Sequence, residues 1–496
     1  MIQLTDEDRG DVQGIVGSGY RHLDCAALLF LRISDAATAK AWLASVIPLV
    51  TTMAPWAPGP DGAKQRPASV TNIAFTHAGL AALQLAPEAL ATFPGEFAGG
   101  MAARAAVLGD HGSSAPEHWA IGGGVDTEPH VLLMIGALDQ AAVDAGVASA
   151  RASFGAAGLV ELGLEPGIEN ATFTDHFGFN AAGVSQPTVE GLDGAAARAA
   201  GTPEHDIVRT GEFLLGYENE LGLFPPSPGV DVAHDPTGLL PRFPEGALPD
   251  QRDFGRHGTY LVWRKLHMDV AAFWRFLQDA ATAASASDEG VGPEMRRLGA
   301  KLVGRWPSGA PLVLAPDADD PSLGQRNEFL FREDDELGRA CPIGSHIRRV
   351  NPRDSLHRIA DTAEDSLRTS KQHRILRRGL VYGERLLALD ALDDGGAPLD
   401  LADDGVDRGV QFLALNTDLA RQFEFIQETW INNSKFEGFD HEKDPLVGDN
   451  DGTGVMTIPR DPIRERVHGI PRFVTVRSGG YFFLPSLTAL RFLASS

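Results

Sequence analysis

The chain has 496 residues, 43% hydrophobic and 22% charged, a composition that excludes disorder as the default and leaves room for two domains, or one large one with insertions, around an enclosed ligand. Its formal net charge of −24 repels nucleic acid and anionic membranes, so a basic cluster in it needs a local purpose. The only cysteines, Cys25 and Cys341, rule out a disulfide framework, the N-terminus is acidic where a secretory signal would be basic, and no apolar run approaches the roughly 20 residues of a membrane helix; the expectation is a soluble, cytoplasmic protein.

CAALLFLRI (25–33) reads as a buried strand, after which Ser34 or Asp35 can cap a helix through Trp42, Leu43 and Val46. A second strand is expected near 70–75. Beyond an insertion come HVLLMIGAL (130–138), an alanine-rich helix opened by Asp139, and GLVELGL (158–164). The order β-α-β, insertion, β-α-β is a split ferredoxin-like pattern. A Pro/Gly/Asp-rich connection from 225 onward resists periodic assignment. The second half then repeats the pattern more loosely. GTYLVWRKL (258–266) and VQFLALN (410–416) read as strands, each followed by a helical stripe: Val270, Phe273, Trp274 and Leu277, then Leu419, Phe423, Ile426 and Trp430. RFVTVRSGGYFFLP (472–485) reads as a hairpin. The expected fold is α+β, with two ferredoxin-like (split β-α-β) domains and antiparallel sheets. The domains are placed at 1–200 and 201–496, with the boundary around 190–205.

ACPIGSHIRRVNPRDS (340–355) sets His346 beside Arg348, Arg349 and Arg353 in this acidic chain. A zinc site with Cys341 lacks the remaining ligands. Anion or nucleic-acid binding, extended by KQHRILRR (371–378), lacks interleaved aromatics and is opposed by the net charge. Haem accounts for both halves of the motif, because one neutral imidazole ligates the iron while arginines neutralise the propionates. By spacing alone the stretch also reads as a solvated arginine-rich loop. DPLVGDNDGTG (444–454) lacks EF-hand spacing and is expected to be a turn.

CPIGSHIRRVNPRDS resembles the proximal-histidine motif of the dye-decolorising peroxidase family, haem proteins with two ferredoxin-like domains. DHFGFNAAGVSQP, GEFLLGYENE, GTYLVWRKLHMDVAAFW, RRGLVYG, RQFEFIQETW and RFVTVRSGGYFFLPSL continue the likeness in family order. The resemblance implies a peroxidase in which hydrogen peroxide oxidises a dye, phenol or other organic one-electron donor at haem b, held mainly by the C-terminal domain, with no nucleic-acid or membrane partner. It makes His346 the proximal iron ligand and Arg377 the distal arginine, with Arg378 its competitor by spacing. Asp418 becomes the carboxylate that accepts a hydrogen bond from the imidazole, and Arg348 a propionate partner. It also implies oxidation of bulky donors through surface Trp or Tyr; Tyr260, Trp263 and Tyr382 lie in the relevant motifs. One departure stands out: the family's distal loop carries an aspartate where this chain has Ala181 or Ala182, with one extra residue before Gly183. A positioned acid-base group contributes about 10²- to 10⁴-fold to such chemistry. The alternative is therefore a haem carrier or sensor with little peroxidase activity. If activity persists, Arg377 is expected to matter more than Asp175.

Overall fold

The computed structural model describes residues 3–495 except 57–64, 169–173, 182–183, 185, 285–289, 359, 389 and 393–395. In the first half, β1 (Cys25–Ile33) leads to α1 (Ala36–Val46), β2 (Ser69–Phe75), β3 (Val131–Ala137), α2 (Gln140–Phe154) and β4 (Leu159–Ile168). Asp35 and Asp139 start the two helices, accepting the backbone N–H of Thr38 and Ala142. In the second half come β5 (Thr259–Met268), α3 (Val270–Ala284), the short strands β6 (Leu376–Arg377) and β7 (Leu380–Tyr382), β8 (Gly409–Asn416) and β9 (Val474–Leu484).

Within each half the sheet order is fourth, first, third, second: β4-β1-β3-β2 and β9-β5-β8-β7, all antiparallel. This is the α+β, ferredoxin-like arrangement expected twice from the sequence. The two sheets also close on each other. β7 meets β4 through Val381 and Ile168, and β9 meets β2 through Phe483 and Phe75, so the nine-stranded sheet is a barrel without open edges along these strands.

Pleating sorts the side chains. Leu28, Phe30, Leu132, Met134, Leu261, Trp263, Leu413 and Phe482 fill the lumen. There Phe30 and Trp263, one from each half, pack at 4.2 Å between ring centroids. Trp263 donates its indole N–H to Gln411 Oε1 at 2.9 Å and is fully buried. The alternate residues Leu29, Leu31, Ile73 and Ile135 lie outside, under Trp42, Leu43, Val143 and Val147 of the first-half helices. The outer face of the second sheet, bearing Arg264, Leu266, Val410, Phe412 and Val476, instead floors a large cavity.

Two expectations are corrected. The stretch 472–485 is not a hairpin but contains the single strand β9, with a register shift between Val476 and Ser478. Its two glycines signal close packing, not a turn: a Cβ on Gly479 would lie 2.6 Å from Met101 Sδ. The stripe Leu419 to Trp430 is helical but wound as π-helix, over Ala420–Glu424 and Ile426–Ile431. Among the described residues no helix is long and apolar enough to cross a membrane.

The seam between β2 and β9 has one strand pair, and Gln13 completes it. Its buried amide donates to Ile73 O (2.8 Å) and Pro485 O (2.9 Å) and accepts from Ile73 N (2.9 Å). Gln13→Ala strands these buried groups and should lower unfolding free energy by about 3 kcal/mol. Urea denaturation checks this, and a loss below about 0.5 kcal/mol would show that the seam does not need the amide.

Candidate active site: the cavity faced by His346

The cavity has a volume of about 1170 Å³. Its apolar surface comes from Leu266, Val410 and Phe412 on the barrel, Phe177 and Phe179 on one loop, and Phe423 and Ile426 on the π-helix.

His346 opens the short helix α4 (His346–Val350) and lines the cavity, with its side chain 27% exposed. Behind it the Nδ1–H donates to Asp444 Oδ2 at 2.9 Å. Asp444 is fully buried; its Oδ1 accepts the N–H of Leu446 and Val447, each at 2.9 Å. Burial disfavours the carboxylate, but the His346 imidazole, the Val447 N–H and Arg349 outweigh it and hold the Asp444 pKa below the usual range. An ionised Asp444 keeps the proton on Nδ1, so Nε2 presents its lone pair.

This carboxylate is not the one the resemblance implies. Asp418 Oδ1 accepts the Arg421 N–H at 2.9 Å, capping the π-helix, and its Oδ2 lies 3.4 Å from Arg421 Nε. An acid closing a strand before a helix has unpaired N–H groups within its own reach and turns to them. In sequence, Asp444 reads only as part of a turn. The signal that points further is an Asp followed by Pro445 with free N–H groups beyond, an arrangement in which the side chain folds back on its own backbone.

Arg348 is corrected as well. It is fully buried, donates to Asp335 O (3.0 Å) and Cys341 O (2.9 Å), and stacks on Phe331, away from the cavity. Arg349 donates to the carbonyls of Trp430, Ile431 and Glu442. Arg353 does line the cavity, but its guanidinium donates to Asn327 O and Phe329 O and lies 4.0 Å over the Phe329 ring. The basic motif is therefore largely a set of clamps holding α4 and its neighbours.

Arg377 and Arg378 part company. Arg378 reaches back to Ile15 O and Val16 O, both at 2.7 Å. Arg377 lines the cavity; its backbone N–H donates to Gln186 Oε1 (3.1 Å), while its guanidinium has no hydrogen-bond partner among the described residues. Burial, with Arg374 and Arg21 nearby, lowers its pKa to about 10, so it remains a cation near neutrality. Tyr260 is buried with its hydroxyl unpartnered among the described residues, and Tyr382 donates to Asp407 Oδ1 at 3.2 Å. Ala181 lines the cavity; Ala182 lies outside the described residues.

An imidazole lone pair, an uncommitted guanidinium and broad apolar walls in one cavity suit a large planar group that takes one axial nitrogen and carries negative charge at its edge. These residues fit a haem.

The model of the DyP dimeric alpha+beta barrel domain matches residues 11–162. A dye-decolorizing peroxidase of Mycena epipterygia is 30% identical over 94% of this chain and 83% of its own length. One from Auricularia auricula-judae is 28% identical, over 99% and 87%. A solved structure of a peroxidase of this type from Auricularia auricula-judae superposes with a TM-score of 0.74 at 26% identity, covering 98% of this chain and 99% of that one. A structure of a dye-decolorizing peroxidase in complex with 2,6-dimethoxyphenol gives 0.73 at 25% identity, over 98% and 99%. Near-complete coverage by peroxidases of one kind, on the barrel and the cavity described above, places the chain in the dye-decolorizing peroxidase family, whose members are haem enzymes.

Proposed function

We propose that this peroxidase reduces hydrogen peroxide in the cavity faced by His346 and draws the electrons from dyes or phenols, with haem b as its redox group. The observation that carries the reading is the His346 imidazole, oriented by buried Asp444, in the same cavity as the uncommitted Arg377. A relative's complex with 2,6-dimethoxyphenol supports phenols as one donor class.

Haem, when bound, supplies the electron transfers that peroxide reduction and donor oxidation require. The residues do the rest. His346 would hold the haem iron through Nε2, and Asp444 makes that imidazole a stronger donor by holding the Nδ1 proton. Arg377 places a fixed positive charge where negative charge grows on the departing peroxide oxygen, in a site sheltered from bulk water. Leu266, Phe412 and Phe423 exclude water from the apolar faces, and all of these groups come from the second half of the chain.

Hemin titration of His346→Ala should give no saturable Soret shift while the far-ultraviolet circular dichroism is retained. Asp444→Asn places an amide N–H against Nδ1 and disfavours the ligating tautomer, so hemin affinity should fall about 10- to 100-fold. Affinity equal to that of the original protein would remove Asp444 from this role.

Arg377→Ala should lower kcat/KM for peroxide about 10²- to 10³-fold without loss of stability. Arg378→Ala should do the reverse, lowering the melting temperature with little effect on rate. Equal rate losses would reject the division. If hemin saturates the protein but peroxide consumption does not exceed that of free hemin, the chain is a carrier or sensor.

A further inference from the structure

Peroxide reduction needs a group that takes a proton from one oxygen and gives it to the other, and the stretch 179–186, FNAAGVSQ, carries no acid. Among the described residues the acids lining the cavity are Asp110, Asp175, Asp193 and Asp449. Asp110 is ion-paired with buried Arg264. Asp449 is ion-paired with Lys443 at 2.7 Å. Asp193 lies exposed on the helix Glu190–Ala199. Of these four, Asp175 alone is enclosed without a salt bridge to its carboxylate among the described residues. Of the histidines lining the cavity, His346 is committed, His22 has its Nε2 on Pro67 O at 2.9 Å, and His373 uses Nδ1 on Arg421 O with its pKa lowered to about 4 by burial. Arg377 is a cation that cannot accept.

Asp175 is held firmly. Arg385 donates to its backbone carbonyl (2.8 Å) and to that of Thr174. Its Oδ1 accepts the Phe179 N–H at 3.0 Å across a tight turn in which Gly178 has φ +96°. Oδ2 has no hydrogen-bond partner among the described residues, and Asp175 lines the cavity.

We propose that Asp175 is the proton carrier of this peroxidase, in place of the expectation from sequence that Arg377 matters more than Asp175. Its Oδ2 takes the proton from one oxygen of hydrogen peroxide and delivers it to the other, directly or through one water. The O–O bond breaks with its electron pair on the doubly protonated oxygen, which leaves as water. The oxygen left behind takes two electrons, one from each of two donor molecules, and two solvent protons to become the second water. The sum is H₂O₂ + 2e⁻ + 2H⁺ → 2H₂O, and Asp175 returns to its starting state. Burial, partly offset by the backbone N–H groups of residues 177–179 and by Arg385, raises its pKa to about 6. The neighbouring His176 is turned away, with Nε2 bonded to Tyr382 O at 2.9 Å, and the other charges lining the cavity without an ion pair among the described residues include Arg66, Arg377, Arg472 and the exposed Asp193.

The proposal rests on the haem-peroxidase reading. Hemin-loaded wild type, Asp175→Asn and Asp175→Glu are compared in two measurements: kcat/KM for peroxide against pH, and cyanide association with the ferric protein, in which hydrogen cyanide loses its proton without turnover. Asn keeps the acceptor for the Phe179 N–H but cannot carry a proton. Wild-type rates should rise with pH through about 6. Asn should be about 10²- to 10⁴-fold slower in both measurements, with that rise gone, and Glu should recover part of the loss with the rise displaced. Asn rates within about threefold of wild type in both would overturn the proposal and leave the carboxylate a turn-former only. If Asn fails to hold haem, wild type and Glu decide: rates flat through that range, or a rise that Glu leaves in place, overturn it. A wild type without a saturable Soret band is a different failure, which removes the haem reading and this proposal with it.

Discussion

The hydrogen bond from His346 to the buried Asp444 carboxylate is the contact on which the site depends. A carboxylate wholly removed from water persists as an anion only where its lone pairs are used. Here the imidazole takes Oδ2, two backbone N–H groups take Oδ1, and Asn450 donates to the Asp444 backbone carbonyl at 2.8 Å. One arrangement thus sets the turn after Asp444, the tautomer of His346 and the direction of its Nε2. None of these can change without leaving a buried charge unpaired.

Around that bond the arginines of the motif work against carbonyls more than against carboxylates. A π-helix ends with carbonyl groups that its own turn does not reach, and Arg349 takes two of them, from Trp430 and Ile431, together with Glu442 O. Arg349 therefore ties the helix of His346, the π-helix on the cavity wall and the segment leading to Asp444 into one unit. Arg348 and Arg353 do the same for the segments around Asp335 and Phe329, each with an aromatic ring under its guanidinium. A basic cluster in a chain of net charge −24 is here an internal brace.

The range of each interaction decides whether it is legible in the sequence. The strands, the Asp35 and Asp139 caps and the repeated split β-α-β order depend on neighbours within a few residues, and they are readable. Barrel closure is not, because each seam between halves rests on one strand pair, with Gln13 bridging one of them from far away in sequence. The paired glycines of β9 mislead for a related reason. Turn formation is a local signal, but the demand on Gly479 comes from Met101, which no local window contains. His346 and Arg377 are reached through motif likeness. Asp444 and the inward turn of Arg348 depend on pairings across the fold, and neighbouring sequence carries no trace of which carboxylate an imidazole will meet.

The same distinction applies to the turn that holds Asp175. Asp175 sits at the base of its turn, where Arg385 clamps the backbone and the flanking aromatics are anchored independently of the loop beyond Phe179. Phe177 stacks on Phe273 at 4.4 Å, Phe179 lies parallel to Trp274, and Trp274 donates to Phe177 O at 3.1 Å. Those partners belong to α3, which packs on the second-half sheet that floors the cavity. None of these contacts uses the side chain of Asn180 or Ala181. The carboxylate of Asp175 is therefore positioned on the cavity wall by the scaffold and not by the loop beyond Phe179.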